Sequence, residues 1–392
     1  MNREPVEFWG YVRTNGKVGS RNHLAIIPSV NCANEVAKRI CDKIDNSRCF
    51  NHHQGCCQLP PDLLQTTRSL IGLGSSPNVG AALIISLGCE GTDVDLLTNE
   101  IAKTGKPVEV INIQDLGGTM NAVSKGILVA QNLSKKISLD RREPVDLSEV
   151  IMAIKCGASD STSGLASNCV IGYMADKMVD LGGTVVFGET TEFIGAEHIL
   201  AKRAKNTKVA SQIFEIVNRM EERAKSLGCD MRKGQPTPGN IEGGLSSIEE
   251  KSLGAIVKSG KRLIEGVLEY SEMIDDQKGL WIKDSPGREI ELLTGMAITG
   301  AQCTLFSTGR GAPQGFPTMP VLKICGNPVT YDRMKDDMDV NAGLIITGEK
   351  SIEEIGEEVF RKLILTLSGE PTKCELNKYF NSIDIYTLGP VL

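Results

Sequence analysis

The first third of the chain alternates short apolar runs with stretches of helical period. Residues 24–27 (LAII) and 81–87 (AALIISL) are unbroken apolar runs, as a strand buried on both faces requires. Residues 108–113 add a third strand and the weaker run 48–50 a fourth. Between them, residues 33–44, 61–71, 93–102 and 119–133 carry apolar side chains at helical spacing. Strands that alternate with helices need crossover connections, so the pattern predicts an α/β fold with a largely parallel sheet. A charged, Pro-terminated stretch at 135–144 (KKISLDRREP) interrupts the pattern and is expected to be an exposed linker. The pattern then restarts, with strands at 150–154 and 184–187 around a helix at 170–181. Residues 196–227 read as one long charged helix. Residues 234–244 (GQPTPGNIEGG) read as irregular, because Pro and Gly take six of the eleven positions. Runs at 303–306, 321–324 and 344–347 suggest further strands of the same sheet. With 392 residues the chain exceeds what one core usually supports, and two domains are expected, 1–140 and 146–392.

Composition changes the picture in two ways. A net charge of -6 argues against nucleic acid and acidic membranes as partners. The N-terminus, MNREPVEFWGYVR, has no apolar core for a signal peptide, and no window approaches the roughly 20 apolar residues of a membrane helix. A cytoplasmic location follows as the expectation, and the 12 cysteines are then free thiols, metal ligands or nucleophiles rather than disulfides. No CxxC pair, Walker A motif, GxGxxG after the first strand, or GxSxG is present, which argues against zinc ribbons, the common nucleotide sites and serine hydrolases.

The candidate chemistry lies just past the strands. The first strand runs into Cys32, the second into His52, His53, Gly55, Cys56 and Cys57, and 81–87 into Gly88, Cys89 and Glu90. In the second half, 150–154 leads to Lys155, Cys156, Ser159 and Asp160. Residues 184–187 lead to Glu189 and Glu192, and 303–306 to Gly309 and Arg310. Ligands of parallel sheets bind beyond the carboxyl ends of the strands, so the repetition of Gly-bearing loops there marks a site. Cys41, Cys49, Cys229, Cys325 and Cys374 read better as small side chains without a role.

These loops resemble the large domain of the altronate and galactarate dehydratases. The likeness is carried by Gly10–Arg13, Asn15–Asn22, Gly55-Cys56, Leu87–Glu90, Lys155–Gly157 with Ser159, Asp160 and Ser163, Gly188–Thr190, Gly195–Glu197, Pro238–Asn240, Glu250–Gly254 and Thr308–Gly311. A sister branch, the sulfolactate sulfo-lyase large subunit, shares residues 187–190 and 235–240 but not the Gly-Cys loops of the first domain. Ala158, where Gly is usual, and Cys169, where Pro is usual, depart from the dehydratase pattern. The resemblance implies a flavodoxin- or Rossmann-like first domain that dimerises and a larger Rossmann-like second domain with a metal site. It also implies a separate small β-rich subunit and a dependence on iron.

The expected reaction is loss of water from a small sugar acid, giving a 2-keto-3-deoxy acid; sulfite release from sulfolactate is the alternative. A second alternative is a non-catalytic subunit of such a complex. Such a lyase needs a base beside the carboxylate and help for the departing hydroxyl. Lys155 or His53 is the expected base, with Asp160 assisting and Arg310 as a bidentate clamp for the carboxylate. The expected metal is Fe2+, with Mn2+ or an iron–sulfur cluster as alternatives, held by Cys56, Cys89 and Cys156 or by Glu189, Glu192 and Glu197 with Asp160. Ser159, Ser163, Asn240 and Gly309 are expected to touch substrate.

Overall fold

A computed structural model describes residues 5–380 and 383–390. Residues 1–4, part of the segment from which the lack of a signal peptide was read, lie outside it. The chain opens with a hairpin of β1 (Glu7–Val12) and β2 (Val18–Gly19). A parallel sheet follows from β3 (His23–Pro28), β4 (Ser47–Cys49), β5 (Val79–Ser86) and β6 (Val108–Asn112), in the order β4-β3-β5-β6. The central strands β3 and β5 are buried along their whole length, which is why they were legible as apolar runs. Then β7 (Glu143–Asp146) returns to pair antiparallel with β1.

The second parallel sheet is built from β8 (Ile151–Gly157), β9 (Thr184–Phe187), β10 (Ile264–Leu268), β11 (Gly279–Lys283), β12 (Cys303–Thr308), β13 (Val321–Cys325) and β14 (Val340–Asn341). Its order is β10-β11-β9-β8-β12-β13-β14, with every pairing parallel. The chain leaves β8 toward β9 on one side and later brings β12 to the other. The end of β8 is therefore a switch point, where neighbouring crossovers diverge and leave a crevice.

Four local expectations are corrected. The stretch 135–144 is not a free linker: the helix Thr119–Ile137 extends into it, and β7 begins at Glu143. The long helix at 196–227 is two, Glu197–Ala201 and Thr207–Ser226, because Ala204 bridges to Ile264 and Asn206 caps the second helix through Val209 N. Residues 234–244 contain a short helix, Pro238–Glu242, started by a capping box between Thr237 and Asn240. Residues 344–347 lie largely in a helix, Gly343–Ile346, not a strand.

The helices Pro60–Ser75 and Glu289–Ile298 pack together between the two parallel sheets. Leu70, Leu73, Leu292 and Ile298 share one buried cluster with Ile27 and Ile84 of the first sheet and Ile151 and Ala153 of the second. Ile383 and Ile385 join the same cluster, and Ile383 N donates to Asn51 O at 3.1 Å, so this late segment is fastened to the loop after β4. No described helix is long and apolar enough to cross a membrane.

Candidate functional site

Past the end of β8 lies a cavity of about 280 Å³, near the lower end of the roughly 300–1,000 Å³ usual for small-molecule sites. Its walls include Cys156, Ser159, Asp160, Ser161 and Ser163 from the β8 loop, Asn168, and Lys251 with Gly254 from the helix Ile248–Ile256. Gly164 and Gly254 meet here: a Cβ added to Gly164 would lie 3.1 Å from Gly254 Cα. The close approach of the two helical segments thus depends on glycine. Ala158 holds the β8 loop with φ of 49°, a left-handed conformation in which a Cβ is strained. The departure from glycine expected at this position therefore falls on a strained residue.

Beneath the cavity sits a buried ionic network. Lys155 is fully buried; its Nζ donates to Cys156 O at 2.9 Å and Glu189 Oε1 at 3.2 Å, and lies 4.7 Å from the centre of the Phe306 ring. Glu189 itself is left-handed, with φ of 72°, and its Oε2 accepts from Cys156 N at 3.0 Å. Lys258, also fully buried, bonds Glu189 Oε2 and, at 2.8 Å, Glu192 Oε2. Burial opposes the charge on Lys258, but Glu189 and Glu192 outweigh it and raise its pKa. Burial likewise works against ionised Glu192, and Lys258 with Lys251 more than reverses that. For Glu189, burial and the neighbouring Glu192 win over the lysines and push the carboxyl up. The Cys156 thiol is pushed up to about 11 by burial and by Glu192, so it is protonated near neutral pH; its Sγ lies 3.1 Å from Ser159 Oγ.

Asp160 is likewise tied into the protein. Its Oδ1 accepts from Thr162 Oγ1 at 2.5 Å and Ser163 N at 3.2 Å, and Oδ2 from Asn327 Nδ2 at 3.0 Å. Gly309 lies against it: a Cβ there would fall 2.0 Å from Asp160 Oδ1. Asn240 does not line the cavity; its Nδ2 donates to Ser159 O at 3.0 Å and so steadies the wall.

The other expected residues are dispersed. Cys56 and Cys89 are exposed in neighbouring loops past β4 and β5 of the first sheet, where Gly91 N donates to Gly55 O at 2.9 Å; Cys56 has its Sγ 3.7 Å from Cys57 Sγ and Cys89 its Sγ 3.6 Å from Gln114 Nε2. His53 is also in that unit, with Nδ1 3.2 Å from Asp384 Oδ1. Glu197 pairs loosely with Arg232 at 3.8 Å, and its Oε2 is buried without a partner among the described residues. Arg310 is spent on the protein: Nη1 donates to Gly239 O at 2.7 Å and Nη2 to Glu242 Oε2 at 3.0 Å.

Nor do the expected donors fit a metal held by this chain alone. Among the described residues, no three His, Cys, Asp or Glu side chains gather to hold an ion. Glu189 and Glu192 are occupied by lysines, and Cys156 Sγ lies beside Ser159 Oγ. Two residues central to this region were missed as site candidates. Lys258 could have been found, since it is the one charge in an apolar run, GAIVKSG. Lys251 lay inside a recognised segment, but nothing in its spacing marked it as facing a cavity.

Residues 147–391 match the model of the D-galactarate/altronate dehydratase C-terminal domain, and residues 10–138 that of the second domain of D-galactarate dehydratase/altronate hydrolase. The chain belongs to the D-galactarate/altronate dehydratase family. Its relatives include the (2R)-sulfolactate sulfo-lyase subunit beta of Chromohalobacter salexigens, 38% identical over 94% of both chains. The altronate dehydratase of Bacillus subtilis is 32% identical over 100% of this chain and 80% of its own length. The galactarate dehydratase (L-threo-forming) of Escherichia coli is 32% identical over 94% of this chain and 74% of its own. Members of this dehydratase family are lyases, and the chain is an enzyme of that class. The sulfo-lyase relative is named as one subunit of a larger enzyme.

Proposed function

We propose that this protein is a hydro-lyase that dehydrates a sugar acid, of the altronate or galactarate kind, to a 2-keto-3-deoxy acid. The observation that carries this reading is the cavity at the switch point beside β8, whose wall carries three serines, within a chain whose matched segments are both dehydratase domains. Ser159, Ser161 and Ser163 offer donors and acceptors to a polyhydroxylated substrate. The reaction removes the proton beside the carboxylate and the hydroxyl one carbon further on; the enol that results tautomerises to the keto acid.

Lys155 takes a different part from the one expected of it. It does not line the cavity, and with its ammonium bound to Glu189 and the Cys156 carbonyl it positions the floor rather than abstracting a proton. Asp160 acts in the same way, fixing the loop against Gly309 and Asn327. We take the chain to be one subunit of a cytoplasmic, at least dimeric enzyme divided near residues 140–146, completed by a small β-rich partner. Any ferrous ion the reaction uses would then need ligands beyond those this chain gathers.

A second reading, sulfite release from sulfolactate, is favoured by the 38% identity over 94% of both chains to the sulfo-lyase subunit. One assay separates the two. The chain is co-expressed with its small subunit, purified without oxygen, and given ferrous iron, a thiol and a panel of altronate, galactarate and sulfolactate. A 2-keto-3-deoxy acid without sulfite is expected. Sulfite with pyruvate establishes the second reading, and no product from any acid, with no iron bound, overturns both.

A further inference from the structure

We propose that Lys251 anchors the substrate carboxylate, and that Arg310 serves it at one remove by fixing the segment 235–242. The inference rests on the lyase reading above. A hydroxy acid is an anion, and Lys251 is the one cationic side chain among the described residues that line the cavity. The two carboxylates in the same wall are engaged elsewhere: Asp160 by Thr162 and Asn327, Glu250 by Ser246 N at 2.7 Å. Neither hydrogen-bonds Lys251, and Glu192, whose ionised form it favours, is itself bonded to Lys258. The hydrogen bond of Lys251 is to an uncharged acceptor, Gln235 Oε1, at 3.0 Å. An ammonium held by an amide keeps its full charge as well as two donors for a carboxylate, whereas one paired with a carboxylate already has its charge offset.

Three contacts set its position. The Gly164–Gly254 approach fixes the helix Ile248–Ile256 against the β8 loop, and Lys251 stands one turn before Gly254. Gln235 reaches Lys251 from the start of the segment that carries Asn240, which in turn holds Ser159 O. Arg310 fastens the other end of that segment through Gly239 O and Glu242. The carboxylate clamp expected of Arg310 is thus replaced by a brace, and Lys251 stands where the clamp is needed. Asn168, in the same wall, also ties the helix Ile248–Ile256 in place, its Nδ2 donating to Gly254 O at 2.8 Å.

The test uses the assembled enzyme and whichever of altronate, galactarate or sulfolactate it turns over. Lys251→Met is expected to raise KM by about 10- to 100-fold, as for a lost hydrogen bond to a charged group, with kcat changed by less than about 5-fold. Lys251→Arg should recover most of the loss. The uncharged amide of the same acid should bind wild type and Lys251→Met alike in calorimetry. Melting curves and circular dichroism identify a variant that has not folded, and Lys251→Gln then replaces it. An unchanged KM, or a collapse of kcat at constant KM, overturns the anchoring role and leaves the lyase reading standing. If the wild-type enzyme neither binds nor converts any acid of the panel, both fall together.

Discussion

Lys155, Lys258, Lys283 and Lys323 are fully buried, a placement in which each ammonium needs a partner. Lys283 and Lys323 reach single carbonyls, Glu272 O and Pro313 O, each at 2.6 Å, and burial lowers the pKa of Lys283 to about 7. Lys155 and Lys258 instead share Glu189 and Glu192, and this pair of pairs holds the floor of the cavity. Removing one member leaves like charges facing each other in a dry interior. Lys258→Met is therefore expected to destabilise the protein by about 3–5 kcal/mol in urea unfolding, with much of the loss recovered in Lys258→Met/Glu192→Leu. A single variant within about 1 kcal/mol of wild type would show that the network is not closed. Ala158 offers the opposite case. Glycine relieves its left-handed strain, worth roughly 1–2 kcal/mol, at the cost of some unfolded-state entropy. Ala158→Gly should raise the melting temperature, and a drop would mean that the alanine methyl makes a contact that outweighs the strain.

At the scale of elements, the site depends on two segments meeting without side chains between them. In Gly164→Val the new Cβ would press on Gly254 Cα and push the helix Ile248–Ile256 outward, carrying Lys251 with it. The expected outcome is an overpacking cost of about 1–3 kcal/mol together with a raised KM. A changed stability with unaltered KM would uncouple the contact from the site. Buried strands were legible because β3, β5, β8, β9, β12 and β13 are buried along their whole length and built around short apolar runs. β1, β7 and β10 were not, since each is interrupted by Pro or Gly, nor was β11, whose apolar run is only three residues long. The short helix Pro238–Glu242 was hidden in the same way: its Gly and Pro content argued for a loop, while the Thr237 capping box that starts it was overlooked.

Across the whole molecule, the two sheets and the end of the chain share one core, so local protonation is felt globally. His52 and His23 are buried and neutral. His52 Nε2 lies 2.8 Å from Pro28 O, and its Nδ1 accepts from Gln54 N at 3.1 Å. Burial lowers the pKa of His52 to about 4 and that of His23 to about 3, the latter helped by Arg48. In the unfolded chain both histidines take up a proton below about 6.5, while in the folded chain they do not until the pH is far lower. The unfolded state thus binds more protons in this window, and stability must fall as the pH drops from about 6.5 toward 4. Up to about 3 kcal/mol per histidine is expected in urea titrations across that range. A flat profile would mean that water reaches these rings.

The chain's pattern alone determined the α/β class, the parallel strands and the loops in which Cys156, Ser159, Asp160 and Gly309 lie, because strand burial and glycine-bearing turns are local properties. It also placed the chain in its family, since those loops recur in order. Only the tertiary structure decided the use of each group. Lys155, Glu189 and Glu192 neutralise one another, Arg310 braces a segment, and Cys56 and Cys89 stand on another sheet from Cys156. Charge in a protein is assigned by what lies within a few ångströms, and that is settled by residues tens of positions apart: Lys258 for Glu189, Gly239 for Arg310, Gly164 for the helix that carries Lys251.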